Sequence, residues 1–408
     1  MKILFLAYDG LSDPLGQSQV ITYMVGLANR GYEVTIVSTE KKRGRKSVDD
    51  IKELLKKNNI NWYSISYTKN PPIISTLYDC IKLLYLSRKI CRKGNFDIVH
   101  CRSYIPALIG IHLKKYFNLK FIFDMRGFYA DERIDGRMWD QRSFIYRILY
   151  RFFKWQEQRF LSNADYSICL TERARKEILS WSVIPNQPIP IKVIPCCANV
   201  QKFNPENISA EDKRLLRTKI GFGESDFLLM YTGAIGTWYM LEEMFDFFKR
   251  LILKRPAKFL FITYDDPENI LRIARSKNIN TDLVRIVKAK HTEVPQLLSI
   301  CDLSIFFIRP LYSKMASSPA KQGEIMSMGI PIICNSNIGD SDRIIREADG
   351  GIIIRSFTDE DYDFVVSEIP ELLAKSKTKI RETAIHYFSL EKGVQEYHEV
   401  YQILAARQ

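Results

Sequence analysis

Residues 317–324 read SSPAKQGE, and their order could bind an anion. Pro319 suits the first position of a helix and Ser318 its N-cap. The helix is predicted to run to Met328 and to stop at Gly329, ahead of Pro331 and a further apolar run. Its N-terminus presents free N–H groups and the positive end of the helix dipole, which together attract a phosphate. Lys321 adds a full charge in the first turn. Glu324, three residues on, shares that face one turn deeper. A phosphate at the cap would set Glu324 beside a neighbouring sugar, where a carboxylate can accept two hydroxyl hydrogen bonds. The plainer alternative is an amphipathic helix with a solvated Lys and Glu.

A second stretch, FDMRGFYADERIDGRMW at 123–139, leaves the end of an apolar run. Its first residues, Asp124 and Arg126, fall where ligands of open α/β sheets bind. Asp131, Glu132 and Asp135 then make a loop acidic, with Glu132 a further candidate. His100, at the end of DIVH, ranks lower, because a lone His there is more often a hydrogen-bonded core residue. The dinucleotide fingerprint GxGxxG and the P-loop GxxxxGK[ST] are both absent. DxD triplets at 340–342 and 361–363 are too common to imply a metal, and none is expected.

These residues need a frame. Apolar runs at 2–8, 32–39, 61–66, 97–101, 119–124, 165–170 and 191–195 alternate with helical stretches such as 17–30 and 74–92. Near-continuous apolar strands separated by helices imply a parallel sheet covered on both faces. Residues 196–216 are polar and read as a linker. The pattern restarts at 227–233, 258–264, 284–289, 303–308, 331–335 and 351–354. The expected fold is therefore α/β, two doubly wound Rossmann-like domains facing a cleft. The domains are set at 1–200 and 201–387. The cleft is the default binding site. The stretch 381–405 reads as a further helix.

The order and spacing of several segments resemble retaining family 4 glycosyltransferases of the GT-B fold. KILFLAYDGLSDPLGQSQVITYMVGLANRGYEVTIVS is similar to that family's first strand, glycine loop and first helix. FDIVHCRSYIPALIG is similar to its "D-V-H-x-H" strand. LTERARKEI and KVIPCCANVQKF resemble its domain-closing segments, and EVPQLLSICDLSIFF with SPAKQGEIMSMGIPII resembles its donor-binding half.

The resemblance implies transfer of a hexosyl unit from a UDP- or GDP-linked sugar to a glycan or lipid-linked hydroxyl, with retention of configuration, in bacterial surface polysaccharide synthesis. The nucleotide-sugar would be a substrate, with no further cofactor. By the same resemblance Glu324 would bind ribose hydroxyls, and Ser318 and Lys321 the diphosphate. Gly16 and Gln17 would approach that diphosphate from the first domain, and Gly233 from the end of the second domain's first strand. A tight turn is the other reading of each glycine. Asp124 would hydrogen-bond a sugar or acceptor hydroxyl. Arg126 would stabilise the departing diphosphate, or the two would form a structural pair. A last helix, about 388–408, would pack back on the first domain. Two departures stand out. Ala316 occupies the place of the family's first Glu, leaving Arg309, Ser313 or Ser317 to contact the sugar. GAIGTWYMLEEM at 233–244 lacks the usual basic residues, so Lys321 and Arg309 become the charge partners of the diphosphate.

Charge divides along the same boundary. The chain of 408 residues carries +13; residues 1–200 contribute +14 and residues 201–408 contribute −1. KKRGRK lies at 41–46. Residues 77–93 and 142–160 are basic and aromatic at helical spacing, with Arg147, Arg151 and Lys154 on one stripe. Such helices suit an anionic membrane surface, unless their aromatics face the core. No recognition-helix, RRM or zinc-finger pattern supports nucleic-acid binding. No run is long and apolar enough to cross a bilayer. The eight cysteines form no CxxC and read as reduced core residues. The protein is expected in the cytoplasm, peripheral at the inner face of the plasma membrane. An epimerase on the same fold and a catalytically inactive binding protein are the rival readings.

Overall fold

The structure is a computed structural model that describes residues 1–41 and 45–406. Residues 42–44 of the basic run at 41–46 lie outside the described residues. The chain divides into two compact units. One is built from Met1–Pro195 with the C-terminal helix Leu390–Ala405, the other from Cys196–Ser389.

The first unit holds a seven-stranded parallel sheet. Its strands are β1 (Lys2–Ala7), β2 (Glu33–Glu40), β3 (Asn61–Ser66), β4 (Ile98–Arg102), β5 (Lys120–Asp124), β6 (Tyr166–Cys169) and β7 (Ile191–Val193), in the order β3-β2-β1-β4-β5-β6-β7. The second unit holds β8 (Phe227–Thr232), β9 (Ala257–Ile262), β10 (Val284–Val287), β11 (Leu303–Phe306), β12 (Ile332–Asn335) and β13 (Gly351–Ile354), in the order β10-β9-β8-β11-β12-β13. Inner strands such as β1, β4, β8 and β12 are buried almost throughout, as the apolar runs require. Strand β3 differs. It pairs only with β2, at the sheet's edge, and most of NWYSIS is exposed.

Three expectations change. Residues 196–216 are not a linker. Ala198 N–H donates to Phe388 O, Arg381 donates to the carbonyls of Phe203 and Val200, and a helix forms over Ala210–Lys219. That helix starts at Ser209, whose Oγ accepts from Asp212 N–H at 3.0 Å, a standard N-cap. Phe203 is wholly buried in the core of the second unit. Second, the C-terminal stretch is two helices, Lys377–Phe388 and Leu390–Ala405, broken at Ser389, where the chain passes from one unit to the other. Third, the segment after Asp124 is not an acidic loop but a short helix, Tyr129–Asp135.

All eight cysteines are free, and seven are buried. Among the described residues no helix is long and apolar enough to cross a membrane.

Because Phe203 is core and not linker, Phe203→Ala is expected to cost about 3–5 kcal/mol of unfolding free energy. Urea unfolding measures this; a change near zero would return 196–216 to the role of a spacer.

Candidate functional site

In the second unit the site gathers at the carboxyl ends of β8 and β11, beside the helix Ala320–Ser327. Pro319, not Ser318, takes the N-cap position of that helix. Ser318 Oγ instead accepts from Cys196 N–H at 3.2 Å, which ties the start of the helix to the segment after β7. Lys321 reaches back across the end of β8. Its Nζ lies 3.9 Å from the ring centroid of Tyr231 and 3.7 Å from that of Tyr239. Part of its stem is exposed, but the Nζ is buried and has no hydrogen-bond partner. Burial pushes the Lys321 pKa well below its ordinary value; Glu324 and Asp265 oppose that only partly.

Gly233 makes room for this arrangement. Its φ is +101°, and a Cβ there would lie 3.2 Å from Lys321 Nζ. Glu324 is engaged as well. Lys202 Nζ, which can only donate, lies 2.9 Å from His291 Nδ1. His291 must therefore carry its proton on Nε2, which donates to Glu324 at 2.8 Å. Neither Lys202 nor His291 was marked by spacing, since each lies in an unremarkable loop far from Glu324 in sequence. Arg309 is exposed, its backbone N–H bonded to Trp238 O. Ala316 is buried. Of the two acidic triplets, Asp340 lies 3.6 Å from Arg343 and Asp363 accepts from Arg250.

In the first unit the sheet order reverses between β1 and β4, where ligands of doubly wound sheets bind. Gly16 and Gln17 lie just past the loop after β1, where the helical turn Pro14–Gly16 runs into a π-helical turn, Gln17–Ile21. A Cβ on Gly16 would lie 2.1 Å from Gly10 O and 2.7 Å from Leu11 Cα, so the loop's own backbone demands the glycine. Gln17 is exposed, and its Nε2 donates to Ser12 O at 3.2 Å. Glu40, at the end of β2, anchors the loop: its carboxylate accepts from Leu11 N–H at 2.6 Å and Ser12 Oγ at 2.7 Å.

At the end of β5, Asp124 is buried and accepts from the Tyr397 hydroxyl at 3.0 Å. His100 Nε2 lies 3.6 Å and Arg126 Nη1 3.8 Å from the same carboxylate. His100 Nδ1 meets the Tyr401 hydroxyl at 2.7 Å. Both tyrosines come from the helix Leu390–Ala405, so Asp124 and His100 hold that helix on the first unit. Arg102, a buried residue that the sequence reading passed over, ends β4 with its Nε 3.7 Å from Asp9. Arg126 adopts φ +59°, a left-handed setting that costs a non-glycine residue about 1–2 kcal/mol. Glu132 lies half-buried in the first turn of Tyr129–Asp135. Its neighbour Asp131 is committed to Tyr150 at 3.0 Å and Lys154 at 2.9 Å.

Burial raises the Asp124 carboxyl, but Arg126, His100 and Arg102 outweigh it and leave its pKa below the ordinary value. Burial also holds His100 below its ordinary value, against the pull of Asp124. Both depressed groups stabilise the fold above their unfolded pKa values and lose that contribution as pH falls. The first unit should therefore weaken in two steps, below about pH 6.5 as His100 protonates and below about pH 4 as Asp124 does. His100→Gln should shrink the upper step, which His112 shares because burial also holds it below its ordinary value, and leave the lower; urea midpoints across pH read this, and an unchanged upper step would remove His100 from it.

Comparison with known proteins places this geometry. The model of Glycosyltransferase Family 4 matches residues 16–202. A search of curated protein sequences finds no match. Solved structures match along the whole chain. Sucrose-phosphate synthase from Thermosynechococcus elongatus is 15% identical with a TM-score of 0.77, and covers 100% of each chain. Anabaena HepE, in complex with UDP and glucose, is 14% identical with a TM-score of 0.70, over 98% of this chain and 99% of that one. WaaG, a glycosyltransferase involved in lipopolysaccharide biosynthesis, is 15% identical with a TM-score of 0.67, over 96% and 98%. With its two parallel sheets of doubly wound order, the chain has the GT-B fold of these structures, and its residues 16–202 match the model of Glycosyltransferase Family 4.

Proposed function

We propose that the enzyme transfers a hexosyl unit from a nucleotide-sugar to a hydroxyl of a glycan or lipid-linked acceptor, with retention of configuration, in the synthesis of a bacterial surface polysaccharide. The bond from the sugar's anomeric carbon to the diphosphate breaks, and one from that carbon to the acceptor oxygen forms. The acceptor's proton leaves with the nucleoside diphosphate or to solvent.

One observation carries the donor half of this reading. Lys321 keeps a buried ammonium with no hydrogen-bond partner at the end of β8, caged by two aromatic faces. A group so placed costs stability, and such local costs concentrate at functional sites. A diphosphate would supply the missing partner, with the N-terminus of Ala320–Ser327 and the bare backbone of Gly233 beside it. Glu324, braced by His291, is suited to the ribose hydroxyls. Gln17 and Arg309, both exposed, remain the further donor contacts. The published complexes of HepE with UDP and with UDP-glucose support a uridine donor, and WaaG supports a surface polysaccharide.

On the acceptor side the roles divide. Asp124 is sealed among Tyr397, His100 and Arg126 and acts as a positioning residue. It fixes the strained Arg126, which then meets the charge that develops on the leaving diphosphate. Glu132, half-buried in the first turn of Tyr129–Asp135, is the carboxylate proposed for the acceptor hydroxyl.

Lys321→Met should raise unfolding free energy by about 1–4 kcal/mol, because it replaces a desolvated charge with an apolar chain of similar volume. The same variant should lose turnover by a factor on the order of 100 or more and lose the thermal shift given by UDP. A variant that is both stable and active would remove the diphosphate from this site. Donor affinity should also weaken as pH rises, since the ligand-free ammonium sheds its proton below its ordinary range while the bound one keeps it.

With Lys321 and the helix end meeting the leaving-group charge, turnover is expected to persist in EDTA. Loss in EDTA with recovery on Mn²⁺ would contradict that. Release of nucleoside diphosphate should require acceptor; conversion of the sugar nucleotide without acceptor would point to an epimerase.

A further inference from the structure

The first unit carries a layer of three helices on one face of its sheet: Ile74–Lys93, Tyr104–Phe117 and Phe144–Asn163. The middle helix binds both neighbours. Arg88 Nε lies 3.1 Å from His112, and Lys114 Nζ donates to Asn163 O at 2.8 Å. The outer helices ought to bury their apolar residues, yet each turns a row of them outward. Ile74, Leu77, Tyr78, Ile81 and Tyr85 form one row; Phe144, Ile145, Ile148, Phe152 and Trp155 form the other. Each is between 38% and 71% exposed. Monomeric soluble proteins rarely expose patches of this kind without a partner.

The charges on the same face have one sign. Lys89, Arg92, Lys93, Lys115, Arg147, Arg151 and Arg159 are exposed. The three helices contain two acids, Asp79 and Glu157. Both are buried, and each is neutralised by a lysine of its own helix, Lys82 and Lys154. Lys154 thus leaves the basic stripe that the sequence suggests and turns inward. What faces solvent is apolar and cationic, with no exposed acid.

We propose that this three-helix face docks on an anionic bilayer surface. Its aromatic and aliphatic rows would enter the headgroup boundary, and its arginines and lysines would meet lipid phosphates. The arrangement is that of helices lying in a membrane interface, with Trp and Phe beside Arg and Lys. A second copy of the chain is a poor occupant, because pairing two such faces would bring like charges together. Nucleic acid would use the cations and leave the apolar rows in water. The proposal takes its purpose, though not its geometry, from transfer to a lipid-linked acceptor.

Vesicle flotation tests it. The protein should float with vesicles containing phosphatidylglycerol and stay in solution with phosphatidylcholine alone. Added salt should release it. Arg147→Gln with Arg151→Gln should weaken partition about 30-fold, from about fivefold per cation. Phe144→Ser with Trp155→Ser should also weaken it, and wild-type Trp fluorescence should shift blue on anionic vesicles. All four residues are exposed, so folding should survive. The thermal shift given by UDP serves as control and should be the same in every variant. No flotation with that shift intact overturns the docking face alone. Flotation without the shift overturns the donor reading alone. Binding to both lipids alike, or a dimer in solution that hides Trp155, overturns the choice of an anionic membrane.

Discussion

A parallel sheet must be covered on both faces, and this constraint decides where the chemistry of the chain can stand. Helices seal the faces of inner strands such as β1, β4, β8 and β12, so polar groups that a ligand can reach collect at strand ends. Asp124 and Arg102 end strands of the first unit, with His100 mid-strand in β4 beside them. In the second unit Tyr231 is the last residue but one of β8, Gly233 follows that strand, and Asp265 lies just past β9. Edge strand β3 escapes the constraint and is correspondingly exposed.

The two strand-end clusters settle their charges in opposite ways. In the first unit, Asp124 has His100, Arg126 and a tyrosine hydroxyl around it, and the cluster fastens the last helix. In the second, Lys321 has two ring faces and no hydrogen-bond acceptor. The charges of the first cluster are paired although not every atom is hydrogen-bonded: Asp124 Oδ1 and His100 Nε2 have no hydrogen-bond partner, yet His100 Nε2 and Arg126 Nη1 lie 3.6 Å and 3.8 Å from the Asp124 carboxylate. An unsatisfied cation is a standing demand for an anion, and a desolvated charge attracts one far more strongly than an exposed one. A single lysine can therefore serve where the family pattern expects further basic residues.

Alternation of apolar runs and helices made both sheets legible, since thirteen such runs correspond to thirteen strands. The helix at 320–327 was legible for a similar reason: Pro, Lys, Glu and Gly sit at positions with distinct physical meanings along a helix. What escaped depended on contacts between distant residues. Phe203 sits in a polar stretch, and nothing local shows that it enters a core. His291 and Lys202 reach Glu324 only through folding. Glu40 reads as a strand residue until the loop after β1 closes on it. Gly16 had two readings, a ligand's approach or a tight turn, and its backbone surroundings supply a reason of the second kind: a Cβ would clash with Gly10 O and Leu11 Cα whatever ligand is present.

The division of charge gains a physical account from the same contacts. Partly buried cations of the first unit face buried acids: Lys82 with Asp79, Lys154 with Glu157, Arg126 with Asp124. Pairs of that kind contribute nothing to the net charge, so the surplus of residues 1–200 must be carried by exposed side chains. A good part of it lies on the helix layer whose apolar rows are uncovered. Solvated lysines scattered over the whole surface would have been the ordinary outcome, and they would explain solubility without explaining the rows. Cations and apolar rows on one face, with both acids withdrawn beneath it, need a partner that is greasy and negative at once, and an anionic bilayer surface has both properties.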